Sequence, residues 1–235
     1  MQFDRTLTSE NDGGFADDAM PERLDASLDK QRHRAAYSAP HTAKPRAKRN
    51  DLHAILRERT DREHRELDAY LGKIWATSED YAAYIRMNHR SHHVLEPAVE
   101  TVLGMHRQPV TYLPMRAALD RDVATLGIRP LAGRSFRLRG STEGASLIGV
   151  LYVLEGSRLG ARMLHQRVKQ SSWMDRFATM PLAFFEAASQ SRDFFKRMNA
   201  LESLMIDGDD IESAVSSAKA TFALFMETAE LAKKQ

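Results

Sequence analysis

The sequence predicts an all-α fold, and three observations carry that prediction. From residue 52 onward apolar side chains recur three and four positions apart, as one buried helix face requires: Leu52, Leu56, Leu67 and Leu71 near the start, and Ile211, Val215, Ala218, Phe222 and Phe225 near the end. Alternation at a period of two persists nowhere, so no strand is expected. The third observation is residues 145–165, a stretch of about six helical turns that carries Gly149, Gly156 and Gly160.

Bulk properties narrow the function classes. A chain of 235 residues with 43% hydrophobic content can bury a sizeable core. Lys and Arg number 34 against 32 Asp and Glu, so no strong net field points to nucleic acid or an anionic membrane. With no cysteine there are no disulfides, thiolate metal sites or cysteine nucleophiles. No apolar run reaches the roughly 18 residues of a membrane span. The first residues lack the basic-then-apolar order of a secretion signal, so a cytoplasmic location is expected.

Residues 1–49 divide into an acidic, small-residue-rich half and a stretch from Lys30 to Arg49 with seven basic residues and no acidic one, interrupted by Pro40 and Pro45. They read as a disordered tail ahead of a helical domain at 50–235. The first helix is expected over 52–71, capped by Asn50 or Asp51 and stopped near Gly72. His64 falls on the shoulder of its apolar arc, and Arg57, two turns earlier, projects from almost the same side. By position alone a histidine there is more often a hydrogen-bonded boundary residue than a ligand, but a cation beside it suits an anionic ligand lying across both.

A second helix is expected from Ser78, with Glu79 and Asp80 in its first turn, through Tyr81, Tyr84, Ile85 and Leu95 toward Leu103. It carries His89, His92, His93 and Glu96 at spacings of three and four, which suit metal ligands or a polar interhelical face. Pro97 is predicted to bend or interrupt it. A break at Gln108-Pro109 leads to a shorter helix marked by Ala117, Leu119, Val123 and Leu126 and capped by Gly127. A loop containing Gly133 and Gly140 then reaches a cap at Ser141 or Thr142, with Glu143 as a first-turn acid. Aromatic residues Trp173, Phe177, Phe184 and Phe185 follow, then helical spacing over 191–201, a turn at 207–210 and the final helix.

In the central helix each glycine costs about 1 kcal/mol relative to alanine. The three lie within about 40° of one another in projection, forming a strip without side chains that admits a second helix or a flat ligand. Tyr152, Glu155, Ser157 and Arg158 flank the strip, and four polar groups in an apolar run favour the ligand.

Two motifs, Leu56-Arg-Glu-Arg-Thr-Asp-Arg-Glu-His-Arg-Glu-Leu-Asp68 and Leu151-Tyr-Val-Leu-Glu-Gly-Ser-Arg-Leu-Gly160, together resemble the biliverdin-producing haem oxygenase family, in particular its bacterial branch. The likeness runs from about residue 52 to 231 and includes the stretches 195–202 and 218–225. It implies a helical bundle in which haem, both substrate and cofactor, lies between a proximal and a distal helix and is opened to biliverdin with release of iron and carbon monoxide. His64 then matches the axial iron ligand, and Gly156, Ser157 and Gly160 match the catalytic distal helix. Arg57 matches a propionate partner, Phe222 an apolar pocket residue, and Tyr152 a residue near the propionates or distal water.

The chain departs from the family pattern in places. Ser157 stands where some relatives have Asp, and Ala161 replaces a third glycine. Ser191 and Phe195 occupy positions where some relatives place basic propionate partners; Arg192, Lys196 or Arg197 can substitute, or the haem can sit rotated so that a different meso carbon is attacked. Because the chain carries no dinucleotide or flavin fingerprint, electrons must come from a separate ferredoxin or NADPH-dependent reductase. A phytochrome-type photoreceptor is a candidate acceptor of biliverdin. A haem-storage protein without turnover would share every one of these residues, whereas a di-iron enzyme, with Asp61, His64 and Glu155 as its candidates, falls short of the carboxylates that chemistry needs.

Overall fold

The computed structural model describes residues 52–106, 112–132, 143–190, 196, 199–200 and 208–235. The expectations for the tail at 1–49, the caps at Asn50 and Asp51, the break at 108–109, the loop at 133–142 and the positions Ser191, Arg192, Phe195 and Arg197 lie outside the described residues. Among those described, all regular structure is helical.

The helix expected over 52–71 is two helices, α1 (Leu52–Arg59) and α2 (Asp61–Leu71). Thr60 separates them at φ −117° and ψ 7°, and its hydroxyl donates to the Leu56 carbonyl at 2.7 Å, a back-bond that bends helices. The His64 N–H still donates to the Thr60 carbonyl at 3.0 Å, so α2 begins at once. It stops at Gly72, whose φ of 64° only glycine adopts cheaply.

Helix α3 (Ser78–His106) starts at Ser78 as expected, and Thr77 caps it, its Oγ1 accepting from the Asp80 N–H at 3.0 Å. Pro97 lies inside α3 and does not interrupt it. Burial of Leu95, Glu96, Val99 and Val102 on both sides carries the helix across the missing N–H. Helix α4 (Arg116–Leu126) ends on Gly127 in the left-handed region, as its sequence predicts. Helix α5 (Glu143–Lys169) is the glycine-bearing helix, followed by a 3-10 turn (Ser172–Arg176), α6 (Ala183–Gln190) and α7 (Gly208–Ala232). The N-terminus of α6 is capped from outside, since Asp122 of α4 accepts the N–H groups of Ala183 and Phe184, both at 2.8 Å.

Helix α7 is the platform. It packs against α1, α2, α3 and α5, while α4 and α6 close the far side against α3 and α5. Leu56, Ile85, Leu95, Leu147, Leu151 and Phe225 fill the shared core. The α5–α7 crossing depends on Gly149: a Cβ there would stand 2.1 Å from the Ala214 carbonyl oxygen and 2.7 Å from the Ala218 nitrogen. Among the described residues no helix is long and apolar enough to cross a membrane.

Candidate functional site

The three glycines of the strip on α5 do different work. Gly149 is where α7 approaches, whereas a Cβ added at Gly156 or Gly160 would meet no atom within 4 Å. Gly156 is exposed and Gly160 half-exposed, between turns anchored by Val153, Leu154 and Ala161 in the core. One end of the strip is thus a helix crossing, and the other is open backbone that a planar group can approach without meeting side chains.

His64 projects from α2, with 52% of its side chain exposed. Its Nδ1 lies 3.3 Å from Asp68 Oδ2, one turn on, and its ring stands edge-on to Phe222 of α7 at 5.9 Å and 81°. Phe222 is buried, so one aromatic serves both core and histidine. A carboxylate at one ring nitrogen fixes tautomer and orientation, the arrangement that commonly supports a metal-ligating imidazole. Neither contact was singled out in the sequence, although Asp68 carries the signal of standing four residues after His64. The pair Glu63–Lys219 (3.5 Å) ties α2 to α7, and a two-pronged Arg59–Glu212 pair ties α1 to it. Both His64 and the open backbone are therefore on helices seated on α7.

The remaining expected site residues are placed as follows. Arg57 is exposed on α1. Tyr152 is half-buried on α5 and stands edge-on to His53 of α1 at 5.9 Å. Ser157 is half-buried, and its hydroxyl donates to the Leu154 carbonyl at 3.0 Å, which leaves its oxygen as an acceptor. Lys196 is exposed. Arg192 lies outside the described residues.

Two of the four polar groups flanking the strip are not ligand-facing. Arg158, 1% exposed, pairs with Glu155 at 2.6 Å, donates to the Leu113 carbonyl and stacks over Tyr112 at 4.6 Å. This network continues into α3. Glu96 is fully buried and accepts from the Tyr112 hydroxyl (2.8 Å), the Met115 N–H (2.7 Å) and Arg116 Nε (3.0 Å), and it pairs with His92 Nδ1 at 2.8 Å. Burial pushes the Glu96 carboxyl up, but His92 and the donated hydrogen bonds outweigh it and bring the pKa down to about 2. Burial holds the His92 imidazole below its usual range, against the pull of Glu96.

The metal set read from α3 is therefore split. His92 and Glu96 turn inward, while His89 and His93 turn toward Asp120 of α4, and these last three are the His and carboxylate group close enough to share an ion among the described residues. The di-iron set is not assembled: Asp61 pairs with Arg65, and Glu155 with Arg158.

Comparison with known proteins bears on the family and the fold. The family model described as Heme oxygenase matches residues 133–230, which span most of α5, α6 and α7. The fold is similar to that of the heme oxygenase from Neisseria meningitidis, solved with NO and CO bound, at a TM-score of 0.62 and 18% identity over 78% of this chain and 92% of that one. No curated protein matches the chain in sequence. The two matches support the haem oxygenase family, and the fold is that of a haem oxygenase.

Proposed function

We propose that this chain, on its haem oxygenase fold, opens haem oxidatively to biliverdin with release of Fe2+ and carbon monoxide, using dioxygen and electrons from a separate donor. Two observations support the reading: a carboxylate-backed imidazole on α2 and unobstructed backbone at Gly156 and Gly160 on α5, each on a helix packed against α7. Haem fits these residues: a borderline nitrogen ligand suits its iron, and a flat macrocycle suits a helix face with no side chains.

His64 would hold the haem iron through Nε2, since Asp68 occupies Nδ1. The carboxylate makes the imidazole a better donor, and the edge of Phe222 restricts the turning of the ring. Bound haem supplies the redox centre and the macrocycle that is oxidised. Gly156 and Gly160 would keep side chains away from bound haem and leave room beside it for dioxygen. Ser157, its own proton committed to Leu154, accepts a hydrogen bond from water and holds a proton source beside the open backbone. Arg57 pairs with a propionate, with Arg192 or Lys196 completing the charge balance, and Tyr152 borders the same edge. The donor is a ferredoxin or an NADPH-dependent reductase, the location is cytoplasmic, and a phytochrome-type photoreceptor is a candidate to take up biliverdin.

The test uses the full chain. Addition of haemin should give a stoichiometric Soret band with axial histidine ligation in the wild type, which weakens or disappears in His64→Ala. With ferredoxin, its reductase and NADPH in air, the Soret band should decay and biliverdin accumulate. Haem that stays intact under these conditions would make the chain a haem-storage protein instead, and a spectrum unchanged in His64→Ala would remove that residue from its role.

A further inference from the structure

We propose that His89, His93 and Asp120 form a binding site for one divalent first-row transition ion of the Zn2+ type, at the seam between α3 and α4. His89 and His93 are one turn apart on α3 and so present their rings on the same side. The rings lie side by side, 4.3 Å between centroids and 34° apart in plane. Across the seam Asp120 directs one oxygen at both: Oδ1 stands 2.9 Å from His89 Nε2 and 2.8 Å from His93 Nε2. All three donor atoms lie within 4.8 Å of one another.

That geometry is close to a metal site. Ligand atoms at about 2.0–2.1 Å around a tetrahedral ion stand roughly 3.3 Å from each other, so each nitrogen–oxygen contact needs to open by about half an ångström. The freedom to do so is unevenly placed. His89, 10% exposed, is an anchor set in the core, while His93 at 38% and Asp120 at 53% can shift outward. The exposed side also leaves room for water as the fourth ligand. Two imidazoles and one carboxylate select borderline ions over Mg2+ and Ca2+, which prefer all-oxygen ligation. A shared hydrogen-bonding carboxylate without metal would occupy the same atoms, and titration separates the two.

None of the residues proposed for haem belongs to α3 or α4. The α3–α4 site shares none of them and stands or falls independently of the haem reading. An ion there would link α3 to α4 and stabilise the folded chain by binding it in preference to the unfolded one.

The test titrates Zn2+ into the full chain, free of haem and stripped with chelator, by calorimetry, with Co2+ as a spectroscopic probe. One equivalent should bind, Co2+ should give visible absorption of a low-coordinate nitrogen and oxygen site, and a tenfold excess of Mg2+ should not compete. His93→Ala and Asp120→Ala should each weaken that equivalent by at least about tenfold while leaving circular dichroism unchanged, because both side chains are exposed. His64→Ala should leave it intact. The proposal is overturned if no single equivalent binds, if it survives His93→Ala and Asp120→Ala unchanged, or if it disappears in His64→Ala. Should either alanine variant fail to fold, featureless Co2+ absorption in the wild type overturns it as well.

Discussion

At Gly149 and Gly156, two turns apart on one face of α5, the same substitution has different consequences. A methyl at Gly149 would stand 2.1 Å from the Ala214 carbonyl oxygen, which is backbone and cannot turn aside, so α5 and α7 must separate. Gly149→Ala should cost about 1–3 kcal/mol, read from the midpoint of urea unfolding. Gly156→Ala meets nothing within 4 Å and should be neutral to about 1 kcal/mol stabilising through helix propensity. If the open backbone receives haem, that stable variant nonetheless binds haem more weakly or changes the meso carbon cleaved. Equal stability losses in the two variants would contradict the division of the strip. Asp68 offers a second residue-scale test. Asp68→Asn keeps His64 but removes the carboxylate 3.3 Å from Nδ1, and haem affinity should fall by roughly 10- to 100-fold, less than in His64→Ala.

Helix α3 carries two interleaved pairs, each one turn apart, and the tertiary fold treats them oppositely. His92 and Glu96 are sealed inside, and this makes the stability of the element depend on pH. The folded pKa of His92 lies below 6.5, so the unfolded chain takes up a proton that the folded chain refuses. Stability is complete above pH 6.5 and declines as pH falls below it. Glu96, at about 2 in the fold against an ordinary 4.5, adds a second decline between 4.5 and 2, on the order of 3 kcal/mol in total. Asp122 works with the opposite sign. Burial raises it from 3.8 to about 6 against the two backbone N–H groups of α6, so its contribution grows as pH falls from 6 to 3.8. Stability measured by urea unfolding from pH 7 to 3 should therefore fall more steeply in Asp122→Asn than in the wild type, and Glu96→Gln should lose the lower step.

Across the whole molecule, α7 supports both halves of the candidate site, with α2 on one flank and α5 on another. The pairs Arg59–Glu212 and Glu63–Lys219 hold the first helices to it, but solvent screening at the surface makes such pairs weak. Helices α1 and α2 present only a narrow apolar face, with Leu52, Leu56 and Leu67 buried. They are expected to open first, with hydrogen exchange faster there than in α5 and α7. A ligand held between α2 and α5 couples the two. Haem at 100 times its dissociation constant should stabilise the chain by about 2.7 kcal/mol and raise the protection of α1 and α2 in hydrogen exchange, an effect that should shrink in His64→Ala. Haem that leaves exchange in α1 and α2 unchanged would mean it binds elsewhere.

Local chemistry was legible in the sequence. Apolar spacing predicted the all-α fold, and Gly72 and Gly127 marked helix ends. These features are properties of a chain segment and its own backbone, so they need no knowledge of neighbours. Spacing could not assign faces. His89 and His93 have the same separation as His92 and Glu96, and only the seating of α3 against α7 and α5 sends one pair outward to Asp120 and the other into the core. The glycines posed the same ambiguity: α7 approaches at Gly149 and not at Gly156. Glu155 and Arg158 suggested a ligand because the sequence did not reveal their partner, a buried pairing whose low-dielectric surroundings demand that each charge be answered by the other. What a polar side chain on a buried helix is for depends on which surface it meets, and that surface comes from a distant part of the chain.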